Sequence, residues 1–214
     1  MTTPEQLLLE VRDAEQAGEP EAIDAAREAY LEVASPCAEA TEIRYKHGLA
    51  RLFRDRDVDG AITLFKEAAQ DKGSPFGQEA RISYALCLLQ KNKRQQAIFE
   101  LRKLLPQGAP PSFHTVQALD FMAMLLRESG AAPAELSKVD QQRLTHLSEL
   151  ATAAKETSEQ AHLRLRLAAA HLDLGTASDI ERARAELNVV LKLGVAAGEA
   201  SLEAAREALK TLPR

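Results

Sequence analysis

The sequence predicts an all-α chain, a solenoid of antiparallel helical hairpins with about eleven helices. Three observations predict it: an internal repeat, a helix-forming composition, and Gly and Pro residues that cut the chain into short amphipathic segments. Residues 52 to 69, LFRDRDVDGAITLFKEAA, return 36 residues later as LLQKNKRQQAIFELRKLL. In register, Leu52 meets Leu88, Phe53 meets Leu89, Ala61-Ile62 meets Ala97-Ile98, Phe65 meets Leu101 and Ala68 meets Leu104. Self-similarity at a fixed period marks one supersecondary unit used more than once. Only six Phe and three Tyr occur and no Trp, while Ala, Leu, Glu and Arg are abundant, which favours helices over strands. With 45% apolar residues, the 214-residue chain can bury a sizeable core.

The elements follow in order from their stop and start signals. Pro4 opens a helix to Ala17, and Gly18-Glu19-Pro20 turns the chain into a second that runs to Ala34 and ends at Ser35-Pro36. Glu39 to Arg54 and Val58 to Gln70 form the next pair, closed by Gly73-Ser74-Pro75. Phe76 to Gln90 and Gln95 to Leu105 form the third, closed by PQGAPPS. Then come Phe113 to Glu128, a longer Pro133 to Lys155, Glu159 to Leu174, Ile180 to Leu193, and a last helix from Glu199 to Leu212.

Each helix of a pair carries an apolar stripe, such as Tyr45, Gly48, Leu49 and Leu52 on the first and Ala61, Phe65 and Ala68 on the second. Gly48 and Ala61, then Ala85 and Ala97, are small enough to let two antiparallel helices approach at the near end of the usual range of about 8–10 Å. Phe65 and Leu101 fill the space toward the next pair. One hairpin alone cannot cover its apolar face, so neighbours must stack.

These residues resemble the tetratricopeptide repeats, helical hairpins of about 34 residues. The resemblance rests on YKHGLARLFRDRDVDGAITLFKEAA and RISYALCLLQKNKRQQAIFELRKLL, on a weaker unit in LLLEVRDAEQAGEPEAIDAAREAYLEVASP, and on HLRLRLAAAHLDLG followed by IERARAELNVVL. It implies a right-handed superhelical stack over a single domain, 1–214. Within it lie an acidic hairpin at 1–36, the clearest repeats at 39–71 and 76–105, a divergent repeat with a long second helix at 112–155, a fourth repeat at 158–194 and a capping helix at 198–212. The sequence departs from the family pattern at Gly48, one place early, at Ala85, and at the turns, where Arg56 and Asn92 replace Gly.

No catalytic constellation stands out. His47, His114, His146, His162 and His171 include no HExxH and no pair at i, i+4, Cys37 and Cys87 form no CxxC, and no GxSxG, Walker A or GxGxxG pattern occurs. Asp55, Asp57 and Asp59 are spaced as solvated helix-surface charges. The chain is expected to be a non-enzyme without cofactor or metal. The start lacks a basic n-region and no run approaches the ~20 apolar residues of a membrane span, so a soluble, cytoplasmic protein is expected.

Function is therefore sought on surfaces. In the resembled family the first helices line the concave face. Beside the core stripe, Lys46, Ala50 and Phe53 occupy i, i+4 and i+7, and their equivalents one repeat later are Ile82, Leu86 and Leu89. These residues either pack beneath a neighbouring helix or form a groove for an apolar helix or extended peptide. FHTVQALDFMAMLL, 113 to 126, is apolar nearly all round and is either buried on both sides or presents Phe121 and Met124 to a partner; a homodimer through this helix is an intermediate reading. Charge divides sharply: residues 1 to 42 hold eleven Asp/Glu against Arg12 and Arg27, while residues 43 to 103 hold thirteen Lys/Arg against seven Asp/Glu. Lys46 and Arg54, flanking Phe53, would give the groove a cationic margin suited to an acidic amphipathic segment, unless the acidic first hairpin compensates them. The formal charge of -5 and the lack of interleaved exposed aromatics argue against nucleic acid.

The resulting expectation is a non-catalytic adaptor or scaffold that binds a peptide or partner protein. Its alternatives are a dedicated chaperone for a secreted or assembly-prone client and a regulatory subunit of an enzyme complex. Members of the resembled family that clamp an Asp-Val-type chaperone tail use Lys, Asn, Asn, Lys and Arg on successive first helices. The matching places here are Lys46, Ala50, Ser83, Gln117 and Phe121, so only Lys46 agrees. In a calorimetric titration such a tail should bind no better than a scrambled acidic peptide, and sequence-dependent micromolar binding would refute that assignment.

Overall fold

Pro, Gly and short polar residues cut the chain where the sequence places them, and eleven α-helices result among the residues described, 2–106 and 108–213 of this computed structural model. No strand occurs among them. The chain divides into two compact units, Met1–Leu104 and Leu105–Arg214.

The first unit holds three hairpins: α1 (Pro4–Ala17) with α2 (Pro20–Val33), α3 (Ala38–Phe53) with α4 (Val58–Ala68), and α5 (Pro75–Gln90) with α6 (Arg94–Arg102). α1 starts with a capping box in which Thr3 and Gln6 satisfy each other's backbone N–H groups. α4 starts at Asp57, whose carboxylate accepts the Gly60 N–H at 2.9 Å. The turns inside the second and third hairpins put Arg56 (φ 57°) and Asn92 (φ 58°) in the left-handed region, at the positions where the family pattern expects Gly. α6 is shorter than its apolar pattern predicts: the chain leaves the α-helix after Arg102, and Lys103 and Leu104 form a turn.

Each core is shared by one hairpin and the first helix of the next, which is why neither helix pair is sufficient alone. Leu7 and Val11 of α1 and Tyr30 of α2 pack with Ala40 and Ile43 of α3. Tyr45, Leu49 and Leu52 of α3 pack with Ala61, Phe65 and Ala68 of α4 and with Ala80 and Cys87 of α5. Small residues set the spacing: Ala61, Ala80, Ala85 and Ala97 are at most 1% exposed. A Cβ on Gly48 would stand 2.6 Å from Phe65 Cε1, so the missing side chain is the space the Phe65 ring fills. Burial pushes the Cys87 thiol up to about 11, in line with a cysteine that packs as a small hydrophobe.

The second unit holds α7 (Phe113–Ser129) with α8 (Pro133–Ala153), α9 (Thr157–Leu174) with α10 (Ala177–Leu193), a 3-10 turn Gly194–Ala197 absent from the sequence expectation, and α11 (Glu199–Thr211). Val116, Leu144, Leu147 and Ala151 pack with Leu163, Leu167 and Ala170 of α9. Ala161 and Ala168 on another face of α9 join Ala183, Leu187 and Val190 of α10, and Leu202 and Ala205 of α11 close that core.

Buried charges are paired. Arg81 donates Nη1–H to Glu100 at 2.8 Å and Nη2–H to the Ala69 carbonyl. Arg143 donates to Asp120 and, at 2.6 Å, to Asp173, while Arg127 donates to Asp140 at 2.6 Å. Three histidines, His47, His146 and His171, are buried as well. His47 is held below its ordinary range by burial, an effect that Asp24 and Glu28 oppose and Arg51 reinforces. His146 is lowered by burial against an opposing Glu149, and its Nδ1 lies 3.1 Å from the Thr115 hydroxyl.

Two outcomes are expected. A Cβ on Gly77 would fall 1.8 Å from the Asp71 carbonyl oxygen, and backbone cannot swing away as a side chain can. Gly77→Ala should therefore cost about 1–3 kcal/mol or more in urea unfolding, the usual range for overpacking. For pH, the unfolded His47 and His146 take up protons near pH ~6.5 while their folded forms resist, so stability is complete above that value and falls as the pH drops below it. The urea midpoint should decline from about pH 7.5 to about pH 5.5, and His47→Gln with His146→Gln should flatten that decline.

Candidate protein-interaction site

The site begins with the end of α3. Leu49 and Leu52 turn toward the core, and Phe53, the last helical residue, is left 74% exposed before the chain leaves through Arg54 and Asp55. On the same helix face, Ala50 and Lys46 are partly buried. On α5, Leu86 and Leu89 are partly buried too, but Ile82 is only 2% exposed. Ile82 therefore belongs to the core and offers nothing to a partner, which corrects its expected place in the groove. The physical reason is its neighbourhood: Arg81, Ile82 and Ala85 all turn inward on α5.

The cationic margin also changes character. Lys46 Nζ lies 2.8 Å from Glu42 and 3.6 Å from Glu15, and these partners hold its ammonium above the usual lysine range, the Glu42 hydrogen bond most of all. Arg54 donates to Asp24 and, at 2.7 Å, to Asp55. Arg51 donates Nη2–H to Glu28 at 2.5 Å and Nε–H to His47 Nε2 at 3.3 Å. Acids of α1 and α2, together with Glu42 and Asp55, thus pair with Lys46, Arg51 and Arg54 inside the chain. Lys46 and Arg54 do not stand free as the sequence reading required of a steering surface. The opposite signs of the two segments were legible in the sequence, but only packing shows that they meet each other.

Sequence reasoning missed His47 as the centre of this charged layer. It is 2% exposed, with Nδ1 3.5 Å from Asp24 Oδ1 and Nε2 facing Arg51 and Glu28. Its one signal was position: it stands four residues before Arg51 and so on the same face of α3.

In the second unit, α7 is buried along most of its length, with Val116, Leu119, Met122, Leu125 and Leu126 all inside. Phe121 is partly buried and Met124 is 41% exposed. Phe113, at the start of the helix, is 53% exposed beneath the Arg166 guanidinium, 5.3 Å from the ring centroid. Asp120 of this helix accepts from both Arg143 and Arg166. The apolar contacts that α7 could offer are therefore Phe113 and Met124, with Phe121 between them.

No helix among the described residues is long and apolar enough to cross a membrane. The sequence matches the family profile named Tetratricopeptide repeat over residues 52–119. A search of curated proteins finds no match. Among solved structures, the chain is similar to the nearly identical TPR-like repeats of a Podosopora anserina protein named for kinesin light chain. That likeness has 12% identity and a TM-score of 0.55, covering 93% of this chain and 100% of the other. It is also similar to PilW, a widely conserved type IV pilus biogenesis factor, at 15% identity and a TM-score of 0.50, covering 92% of this chain and 81% of the other. Identities this low bear on the fold alone. Residues 52–119 thus match the tetratricopeptide repeat family, and the fold over most of the chain is like that of solved TPR-like repeats.

Proposed function

We propose that this protein is a non-catalytic interaction module, and that Ala50 and Phe53 of α3 with Leu86 and Leu89 of α5 receive an apolar segment of another protein. Tetratricopeptide repeats generally mediate protein–protein interaction, and the finer reading draws its main support from one observation: the Phe53 ring, 74% exposed beside partly buried apolar residues. A large aromatic side chain held at the end of a rigid helix is the kind of anchor that dominates binding energy when a partner desolvates it. The neighbouring cations already have intrachain partners, so apolar burial and not charge sets the affinity. Adaptor, client chaperone and regulatory subunit share this surface chemistry. They differ in what is bound: several assembly factors, a secreted or assembly-prone client, or an enzyme.

The test compares proteins retained from a native extract by the parent chain, by Phe53→Ala and Leu86→Ala, and by Val195→Ala, which alters a residue that is 93% exposed in the second unit. Affinities are then measured for the retained partner. Burying a Phe side chain contributes about 1.5–3 kcal/mol, so Phe53→Ala should weaken binding roughly tenfold or more. Val195→Ala should bind like the parent, and the parent affinity should change little between low and high salt. Equal binding by the parent and both groove variants, with folding unchanged by circular dichroism, would overturn the proposal.

A further inference from the structure

Each unit contains a cleft built in the same way, between the second helix of one hairpin and both helices of the next. In the first unit it lies between α2, α3 and α4, has a volume of about 550 Å³, and includes His47 and Arg51 among its walls. In the second it lies between α8, α9 and α10, has a volume of about 430 Å³, and includes Leu144, Glu149, Leu167 and His171. The two histidines are alike in burial, 2% and 8% exposed. Each also has an aspartate near Nδ1, from α2 in the first cleft and from α10 in the second. His47 Nδ1 is 3.5 Å from Asp24 Oδ1, His171 Nδ1 is 3.5 Å from Asp179 Oδ1, and neither Nδ1 has a hydrogen-bond partner.

They differ in what meets the other ring edge. In the first cleft the chain supplies its own ligand: Arg51, four residues after His47, donates Nε–H to His47 Nε2 at 3.3 Å and Nη2–H to Glu28 at 2.5 Å. Four residues after His171 stands Gly175, the left-handed cap of α9, which has no side chain to give. With Nδ1 facing Asp179 at 3.5 Å, Nε2 is the ring atom left for a ligand. Glu149, exposed on the cleft wall, has no ion-pair partner among the described residues, whereas Glu186 is held by Arg164 at 2.6 Å and Arg182 lies 3.5 Å from Asp179. Leu144 and Leu167 add an apolar wall suited to a methylene stem.

We propose that the cleft between α8, α9 and α10 is a receptor for an arginine side chain of a partner protein. The guanidinium donates to His171 Nε2 and to the Glu149 carboxylate, and its stem lies along Leu144 and Leu167. The first cleft displays the same recognition with Arg51 in the partner's place. A planar fork of N–H donors matches a ring nitrogen beside a carboxylate better than a compact ammonium does. This cleft and the α3–α5 face lie in different units, so either can fail without the other.

The experiment follows histidine ring resonances of the full chain by NMR during titration with capped Gly-Arg-Gly and with capped Gly-citrulline-Gly, the neutral isostere. The arginine peptide should move the His171 resonances saturably, leave those of His47 in place, and bind roughly tenfold more tightly than the citrulline peptide, the difference expected for charge-assisted hydrogen bonds. Glu149→Gln, at an exposed position, should reduce binding at His171 by a similar factor with an unchanged circular dichroism spectrum. Arg51→Ala should open the first cleft, so that the arginine peptide now moves His47 as well. Equal response to arginine and citrulline, no shift at His171, or undiminished binding by Glu149→Gln would overturn the proposal.

Discussion

The close approach of α3 and α4, with the Phe65 ring in the space a side chain on Gly48 would need, is the contact on which the first unit depends. Phe65 is fully buried, and it meets Tyr45 of α3 at a centroid distance of 6.0 Å while Tyr45 in turn meets Phe76 of α5 at 5.9 Å. One ring therefore closes a hairpin and starts the chain of contacts that seats the next. Asp71 ties the same junction from the polar side: its carboxylate accepts from Thr41 of α3 and from the backbone N–H groups of Gly73 and Ser74 just before α5. Packing at near-crystalline density leaves little freedom for such a junction to shift.

A charged layer overlies these apolar cores. Arg27 with Glu15, Arg51 with Glu28 and Arg54 with Asp24 join the first hairpin to itself and to α3, and Asp120, Arg143, Arg166 and Asp173 join α7, α8 and α9. Exposed pairs of this kind contribute little stability, typically about 0–1 kcal/mol. The buried members matter differently, because removing one partner of Arg81 or Arg143 would leave a charge inside without compensation. The layer also shapes the surface: by satisfying the cations of α3 it leaves Phe53, and not charge, as the prominent feature of that face.

The two histidine clefts show how a repeat architecture varies its chemistry. Three helices, a buried imidazole and an aspartate 3.5 Å from Nδ1 recur in both, with the aspartate on α2 in one and on α10 in the other, and the position four residues after the histidine is Arg51 in one and Gly175 in the other. A helix that runs on past its histidine can supply a side chain to the cleft; a helix that ends there cannot. α3 continues to Phe53, while α9 stops at Leu174.

By itself the sequence determined the class of fold, the existence of every helix and most of their ends, because these follow from local rules: the spacing of Gly48, Ala61 and Phe65 and the punctuation by Gly and Pro. It also marked Arg56 and Asn92 as standing where glycine belongs, and both adopt the left-handed backbone. The tertiary structure alone decided the candidate sites. Ile82 and Leu86 share an apolar register on α5, yet Ile82 is core and Leu86 only partly covered, since burial depends on what packs opposite and not on the residue's own helix. The acidic and basic segments were plain in the chain, but pairing of Asp24 with Arg54, 30 positions apart, is a matter of through-space distance. So too the likeness of His47 and His171 lies in the helices around each ring, which a one-dimensional period cannot express.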